Sequence, residues 1–116
     1  MIYLLSKRTW ILIFYIIIIL FLSIQQFNTS KTISLVGFDK VVHFIEYMGL
    51  GFLMINMLMI NKMSKKKWYL SMIFFLIFPG IDEILQSFIP SRTPDIYDYY
   101  ADILGCFMGA YIRNNI

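Results

Sequence analysis

Two adjacent carboxylates interrupt an apolar part of the chain, which reads FPGIDEILQSFIP over residues 78–90. Asp82 and Glu83 lie near the end of a run that starts at Trp68, and Gln86 follows Asp82 at i+4. An ionisable group in an apolar helix is costly and normally faces other helices or a water-filled pocket. These carboxylates are therefore candidates for a binding or catalytic site. The alternative is that they pair with a cation and only hold helices together.

A histidine shares a predicted helix face with another acid. His43, Glu46 and Tyr47 stand at i, i+3 and i+4, so a helix would present all of them on one side. A histidine among carboxylates can act as an acid or base, or can bind a divalent metal ion with them. A lone histidine at a helix end is most often interfacial, but the neighbouring acid favours a site.

The last apolar run carries two further acids, Asp98 and Asp102, at i and i+4. Asp98 has a structural alternative, because Asp95 after a proline could cap the helix with Asp98 as its third-position partner. Asp102 lies one turn further in, where capping does not explain it. In the loop PSRTPD, Arg92 could bridge two acids or hold a phosphate, or close the loop as an ion pair with Asp95 or Asp98.

The composition is that of a membrane protein. Of the 116 residues, 59% are hydrophobic and 15% are charged, and the mean hydropathy is +0.72. Soluble domains carry about 25% charged residues. The net charge of +3 argues against nucleic acid as the main partner and leaves the lipid bilayer as the expected one. The single cysteine, Cys106, excludes an internal disulfide and a thiolate metal cluster.

Four apolar runs predict an all-α fold, an integral membrane four-helix bundle that forms one domain over residues 1–116. Crossing a hydrocarbon core of about 30 Å takes roughly 17 to 25 helical residues, and the fourth run is at the short limit. Because no small-x-small cleavage site follows the first run, an uncleaved anchor is favoured over a signal peptide. The predicted helices span residues 10–27, 41–60, 68–89 and 96–112.

Basic residues are divided unequally between the two ends of such a bundle. With the N-terminus inside, seven lie on the cytoplasmic side and three outside, which satisfies the positive-inside rule and makes both termini cytoplasmic. All the acids then fall in the outer half of the protein. The inner residues are Lys7, Arg8, Lys62, Lys65, Lys66, Lys67 and Arg113, and the outer ones are Lys31, Lys40 and Arg92.

The candidate residues should form one polar cluster near the outer face, because a buried charge needs partners at the same depth. We expect at least one acid in it to be protonated or metal-bound at neutral pH. Pro79 and Gly80 directly precede the acids, and a break there would place Asp82 and Glu83 in the first turn of an outer half-helix. Gly105 and Gly109 form a G-x-x-x-G face, which we interpret as a close helix contact.

Four short motifs, in the order in which they follow one another along about residues 39–110, resemble those of the VanZ-like family of bacterial membrane proteins. The family takes its name from a protein associated with resistance to the glycopeptide teicoplanin. The resemblance implies a multi-pass protein of the bacterial cytoplasmic (inner) membrane with a cell-envelope role. It supports the site, Asp39 included, but supplies no reaction. The motifs are Asp39-Lys40-x-x-His43-x-x-x-Tyr47, Asp82-Glu83-x-x-Gln86, Pro90-x-Arg92 and Asp98-x-x-x-Asp102-x-x-Gly105-x-x-x-Gly109.

Two positions depart from the family pattern. Asp102 stands where the family usually has Asn, which adds a charge to the cluster, and Ser91 stands where Gly is common. No P-loop, G-x-S-x-G or H-E-x-x-H motif is present to identify a known reaction.

Three functions fit these residues. In the first, an outer-face polar cleft binds an envelope lipid or a lipidated ligand such as a lipoglycopeptide. In the second, the cluster is the active site of an enzyme that acts on a lipid headgroup. In the third, the protein is a structural partner in an envelope complex. A divalent metal ion is compatible with the cluster but is not required by it, and the oligomeric state is left open.

The predicted topology can be tested with reporter fusions to each terminus. We expect both fusions to be active only as cytoplasmic reporters, because the majority of basic residues then stay inside. A terminus that reports an extracytoplasmic position would overturn the topology and the outer location of the acids.

Overall fold

The computed structural model describes residues 6–23, 38–59, 62–88 and 96–116, with only the backbone of Phe38 and Asp39. The described residues form four α-helices and no strand, which confirms the predicted all-α fold. The first three helices begin three residues earlier than predicted, because their first turns are polar and the prediction followed apolar residues alone. The predicted stretches 24–27, 60 and 89 lie outside the described residues. The helices are α1 (Lys7–Ser23), α2 (Phe38–Leu58), α3 (Lys65–Ser87) and α4 (Ile96–Asn114).

Two of the described helices are long and apolar enough to cross a membrane. One span covers Lys40–Leu58 in α2 and the other covers Lys65–Ser87, which is all of α3. The described part of α1 has 17 residues, at the lower end of what a bilayer requires. α4 carries Asp98, Asp102 and Arg113 and is not among the two.

The outward faces of the helices are apolar. Phe14 on α1, Ile45 on α2, Ile77 on α3 and Leu104 on α4 are each more than half exposed, and many other large apolar side chains accompany them. The buried polar side chains, in contrast, point inward. This is the reverse of the pattern of a soluble protein, where the polar residues cover the outside.

The most extensive helix contact joins α2 to α4, and glycines make it possible. A Cβ added to Gly109 would collide with the backbone of Met48 and Phe52, and one added to Gly105 would collide with the backbone of Phe44. On the facing helix, a Cβ on Gly51 would collide with the backbone of Cys106. The predicted G-x-x-x-G contact is thereby confirmed.

Basic residues converge at one end of the bundle, around the C-terminal end of α2. Arg8 donates a hydrogen bond to the carbonyl of Asn56 (3.0 Å), and Arg113 donates one to the side-chain oxygen of Asn56 (2.9 Å). Lys67 donates to the carbonyl of Leu58 (2.9 Å). A helix C-terminus is a favourable place for cations because its carbonyls carry partial negative charge. α1 and α3 therefore start at the end where α2 and α4 finish.

α3 continues through Pro79, so the break considered at this point does not occur and Asp82 and Glu83 do not begin an outer half-helix. The helix runs without a break from Lys65 to Ser87, because a proline removes one backbone hydrogen bond and the surrounding turns keep theirs. α4 contacts α3 next to the proline, because the Tyr99 hydroxyl donates a hydrogen bond to the carbonyl of Leu76 (2.8 Å) in the preceding turn. Asp82 consequently lies well inside a continuous helix, far from its N-terminus.

The α2–α4 contact predicts an unequal effect of two glycine substitutions. Gly109→Ala should lower the free energy of unfolding by about 1–3 kcal/mol, because its Cβ meets rigid backbone. Gly80→Ala is the matched control. Its Cβ would meet only the Tyr99 ring at 3.5 Å, an ordinary contact, so we expect an unchanged or slightly more stable protein.

Unfolding in detergent, followed by the loss of helical circular dichroism, measures both effects. Equal stability of the two variants would contradict the close contact at Gly109.

Candidate functional site

Apart from Ser71, the buried polar side chains of the described residues collect at the end of the bundle opposite to the basic residues. Here α1 and α3 finish and α2 and α4 begin, so all four helices contribute. Each of these side chains is at least nine-tenths buried, and Tyr47, Asp82 and Asp102 are wholly so. The cluster consists of Ser23, His43, Tyr47, Asp82, Gln86, Asp98 and Asp102.

His43 lies between two carboxylates of α4. Its Nδ1 is 2.8 Å from Asp102 Oδ1, and its Nε2 is 3.9 Å from Asp98 Oδ2. Lys40 extends the chain of charges, since its Nζ lies 3.1 Å from Asp98 Oδ1. The i, i+4 spacing of the two aspartates places both on the face of α4 that packs against α2. The carboxylates therefore hold the imidazole ring from both sides, which fixes its orientation.

Asp82 is the centre of a second group of hydrogen bonds. The Tyr47 hydroxyl of α2 donates to its Oδ2 (2.6 Å), and the Ser23 hydroxyl of α1 donates to its Oδ1. Gln86, one turn later on α3, lies at 3.5 Å from Oδ2, the outer limit of a hydrogen bond. This carboxylate thus contacts donors from three helices, all of them neutral among the described residues, whereas the aspartates of α4 face the basic side chains of Lys40 and His43.

Glu83 lies close to the pair formed by His43 and Asp102. Glu83, His43 and Asp102 each have a potential metal-ligand atom, and these atoms lie within 4.8 Å of one another. Asp102 is wholly buried, and its Oδ2 accepts no hydrogen bond from the part of the chain that the structure describes. An oxygen left in this state is costly and requires an explanation.

The structure does not bring every predicted residue into the cluster. Glu46 is partly buried beside it, one turn after His43, and its backbone carbonyl accepts a hydrogen bond from Tyr15 (2.5 Å). The side chain of Asp39 and all of Arg92 lie outside the described residues.

One member of the cluster, Ser23, and one residue that contacts it, Lys40, were not among the predicted site residues. Ser23 is the sole hydroxyl in a stretch of large apolar residues near the end of α1, and that isolation was the available signal. Lys40 was counted as an outer basic residue, although its spacing of three from His43 already placed it on the same helix face. Both supply donors to buried carboxylates.

Negative charge is in excess at this end. Among the described residues here, Asp82, Glu83, Asp98 and Asp102 outnumber the cationic groups, Lys40 and His43. Buried carboxylates of like charge destabilise one another unless a proton or a cation compensates them. The cluster can therefore accept a proton, an ammonium group or a metal ion.

A cavity of about 330 Å³ lies elsewhere, between α3 and α4 near the basic end. Its walls are mainly apolar and include Trp68, Phe75 and Phe107. It does not reach the polar cluster, so the chemistry of the two places is separate.

The hydrogen bond from Tyr47 to Asp82 predicts a loss of stability on its removal. Tyr47→Phe should lower the free energy of unfolding by about 1–3 kcal/mol, because a buried carboxylate loses a donor. Tyr69→Phe makes the same chemical change at a tyrosine that is 64% exposed, and we expect no measurable effect there. Denaturant unfolding of the two variants in one detergent provides the comparison, and equal midpoints would refute the role assigned to Tyr47.

Comparison with known proteins identifies the family to which the chain belongs. A search of curated proteins and a search of solved structures each returned no match. A profile of the VanZ/LLP1 family matches residues 2–114, which is nearly the whole chain and includes every residue of the cluster. This match confirms the resemblance that the ordered motifs indicated: the chain belongs to the VanZ/LLP1 family.

Proposed function

We propose that this protein is a multi-pass protein of the bacterial cytoplasmic membrane, with four spans and both termini in the cytoplasm. The family, the two helices apolar enough to span and the apolar outward faces support insertion. The basic end of the bundle, with Arg8, Lys67 and Arg113, supports this orientation because it would face the cytoplasm. The acid–histidine cluster then lies near the outer surface.

In this proposal the cluster binds the polar headgroup of an envelope lipid or of a lipidated antibiotic. The observation that carries it is the burial of His43 between Asp98 and Asp102 inside helices with apolar outward faces. Charged groups at such a depth are costly, so their presence in a small bundle favours a binding role over a purely structural one. Asp82, whose donors among the described residues are the neutral side chains of Ser23, Tyr47 and Gln86, is suited to a structural role.

A ligand with an acyl chain and a polar headgroup would fit both the apolar outward faces of the helices and the buried polar cluster. Its chain can lie along the apolar faces of the helices, while hydroxyl, ammonium or metal-bound phosphate groups reach the carboxylates. Arg92, outside the described residues, would complement them by binding an anionic group bidentately. Retention of a lipidated glycopeptide, or of the lipid that it targets, would give the cell-envelope role and the glycopeptide resistance after which the family is named.

A second candidate is an enzyme that acts on a lipid headgroup, and one distance favours it. His43 Nδ1 lies 2.8 Å from Asp102 Oδ1, the arrangement in which a carboxylate orients an imidazole that transfers protons. In such an enzyme Asp102 would position His43, and the other ring nitrogen would exchange a proton with the substrate. A protein that only binds a headgroup requires neither an oriented imidazole nor the transfer of a proton.

Neutral replacements that keep the shape of the side chain test the proposal. In a strain whose glycopeptide susceptibility depends on this protein, we expect Glu83→Gln, His43→Asn and Arg92→Lys to abolish protection at normal membrane abundance. Arg92→Lys keeps the charge but loses bidentate binding, so its failure would indicate a phosphate or carboxylate on the ligand. Cys106→Ala is the control and should protect like the wild type.

The same strains separate the alternatives. Full protection by all three site variants, with protein levels checked by blotting, would refute the site and leave the structural-partner hypothesis. Lipidomics of a deletion strain against its complement distinguishes binding from catalysis, because only an enzyme requires a changed headgroup composition.

A further inference from the structure

We propose that His43, Glu83 and Asp102 form a binding site for one divalent transition-metal ion, such as Zn²⁺ or Mn²⁺. Three helices supply the ligands, α2, α3 and α4, and the ligand atoms already lie within 4.8 Å of one another. A zinc ion with bonds of about 2.0–2.1 Å needs ligand atoms roughly 3.3 Å apart, so small side-chain rotations close the site.

The donor set determines the class of ion. One imidazole nitrogen and two carboxylates suit Zn²⁺ and Mn²⁺ better than Mg²⁺ or Ca²⁺, which prefer oxygen alone. Three protein ligands also leave at least one coordination position open, as in sites where a metal ion binds a further ligand.

A second observation points to the ion independently of the cluster itself. Asp102 is wholly buried, and its Oδ2 has no hydrogen-bond donor among the described residues. Its Oδ1 faces His43 Nδ1 at 2.8 Å, which is also close to the separation of two ligands on one ion. A cation bound at Asp102 would satisfy the oxygen to which none of the described residues donates.

Asp98 completes the arrangement as a positioning residue. If Nδ1 of His43 binds the ion, Nε2 carries the proton and faces Asp98 Oδ2 at 3.9 Å. Metal-bound histidines commonly donate their other ring nitrogen to a carboxylate, which orients the ring and raises its basicity. Lys40 in turn holds Asp98 at 3.1 Å. The ion would also compensate the excess of buried carboxylates.

The role of the ion rests on the proposed function: its open position would bind an anionic oxygen of the headgroup. Carboxylates alone repel such an oxygen, whereas a metal ion between them attracts it. Metal binding itself rests only on the geometry, so the two can fail separately.

The test uses the full chain, purified in detergent without chelators. Elemental analysis and titration with ZnCl₂ and MnCl₂ should give roughly one ion per chain, and the ion should raise the melting temperature. We expect Asp102→Asn, Glu83→Gln and His43→Asn to lose binding, and Asp98→Asn to weaken it by about tenfold. Cys106→Ala, one turn after Asp102 and outside the proposed ligands, should bind like the wild type.

Each outcome bears on a different claim. Folded wild-type protein that binds neither ion and shows no thermal shift overturns the metal site, as does wild-type affinity in Asp102→Asn. If protection still depends on Glu83 in that case, the proposed function stands without the metal. If the ion binds but the variants that lose it still protect, the metal site stands and the proposed function fails.

Discussion

The backbones of α2 and α4 touch at Gly51, Gly105 and Gly109, and this close approach sets the register of the two helices. In that register Asp102 lies against His43, Asp98 against Lys40 and, at the other end, Arg113 against Asn56. A shift by one helical turn would move the side chains apart by about 5.4 Å and break all three contacts. Side chains larger than glycine would also separate the helices and weaken the polar contacts between them. The geometry of the cluster therefore depends on glycine at these three positions, because a Cβ atom there would push the two helices apart.

The bundle separates charge along its length. Cations contact the carbonyls at the C-terminal end of α2, where the partial charges of the helix favour them. Carboxylates gather at the other end, and they are held by hydroxyl groups, an imidazole and a lysine. The two ends differ in the sign of their charges and also in how deeply those charges are buried. Arg8 and Lys67 are partly exposed, whereas Asp82 and Asp102 are wholly buried. Most of the unfavourable free energy of burying charge thus lies at the acidic end, which is typical of a functional site.

Sequence periodicity predicted the helices and the shared faces well, because both depend on local spacing. The His43 and Glu46 stripe, the Asp98 and Asp102 pair and the G-x-x-x-G face all follow from residues three or four apart. The contacts between helices did not follow from it. Ser23 reaches Asp82 across 59 residues of chain, and no local pattern records which helix a lone serine faces. Whether α3 breaks at Pro79 was also left open by the sequence, because continuity depends on packing around the proline rather than on the proline itself.

The pairing of α2 with α4 has a consequence for how the protein is made. His43 and Asp102 are 59 residues apart, and α4 leaves the ribosome after α2 and α3. Until it arrives, α2 and α3 carry His43, Glu83 and Asp82 without the aspartates of α4. α4 in turn is too polar to be among the helices that qualify as spans by themselves. The packing of α4 against α2 and the assembly of the charged cluster therefore form one cooperative step.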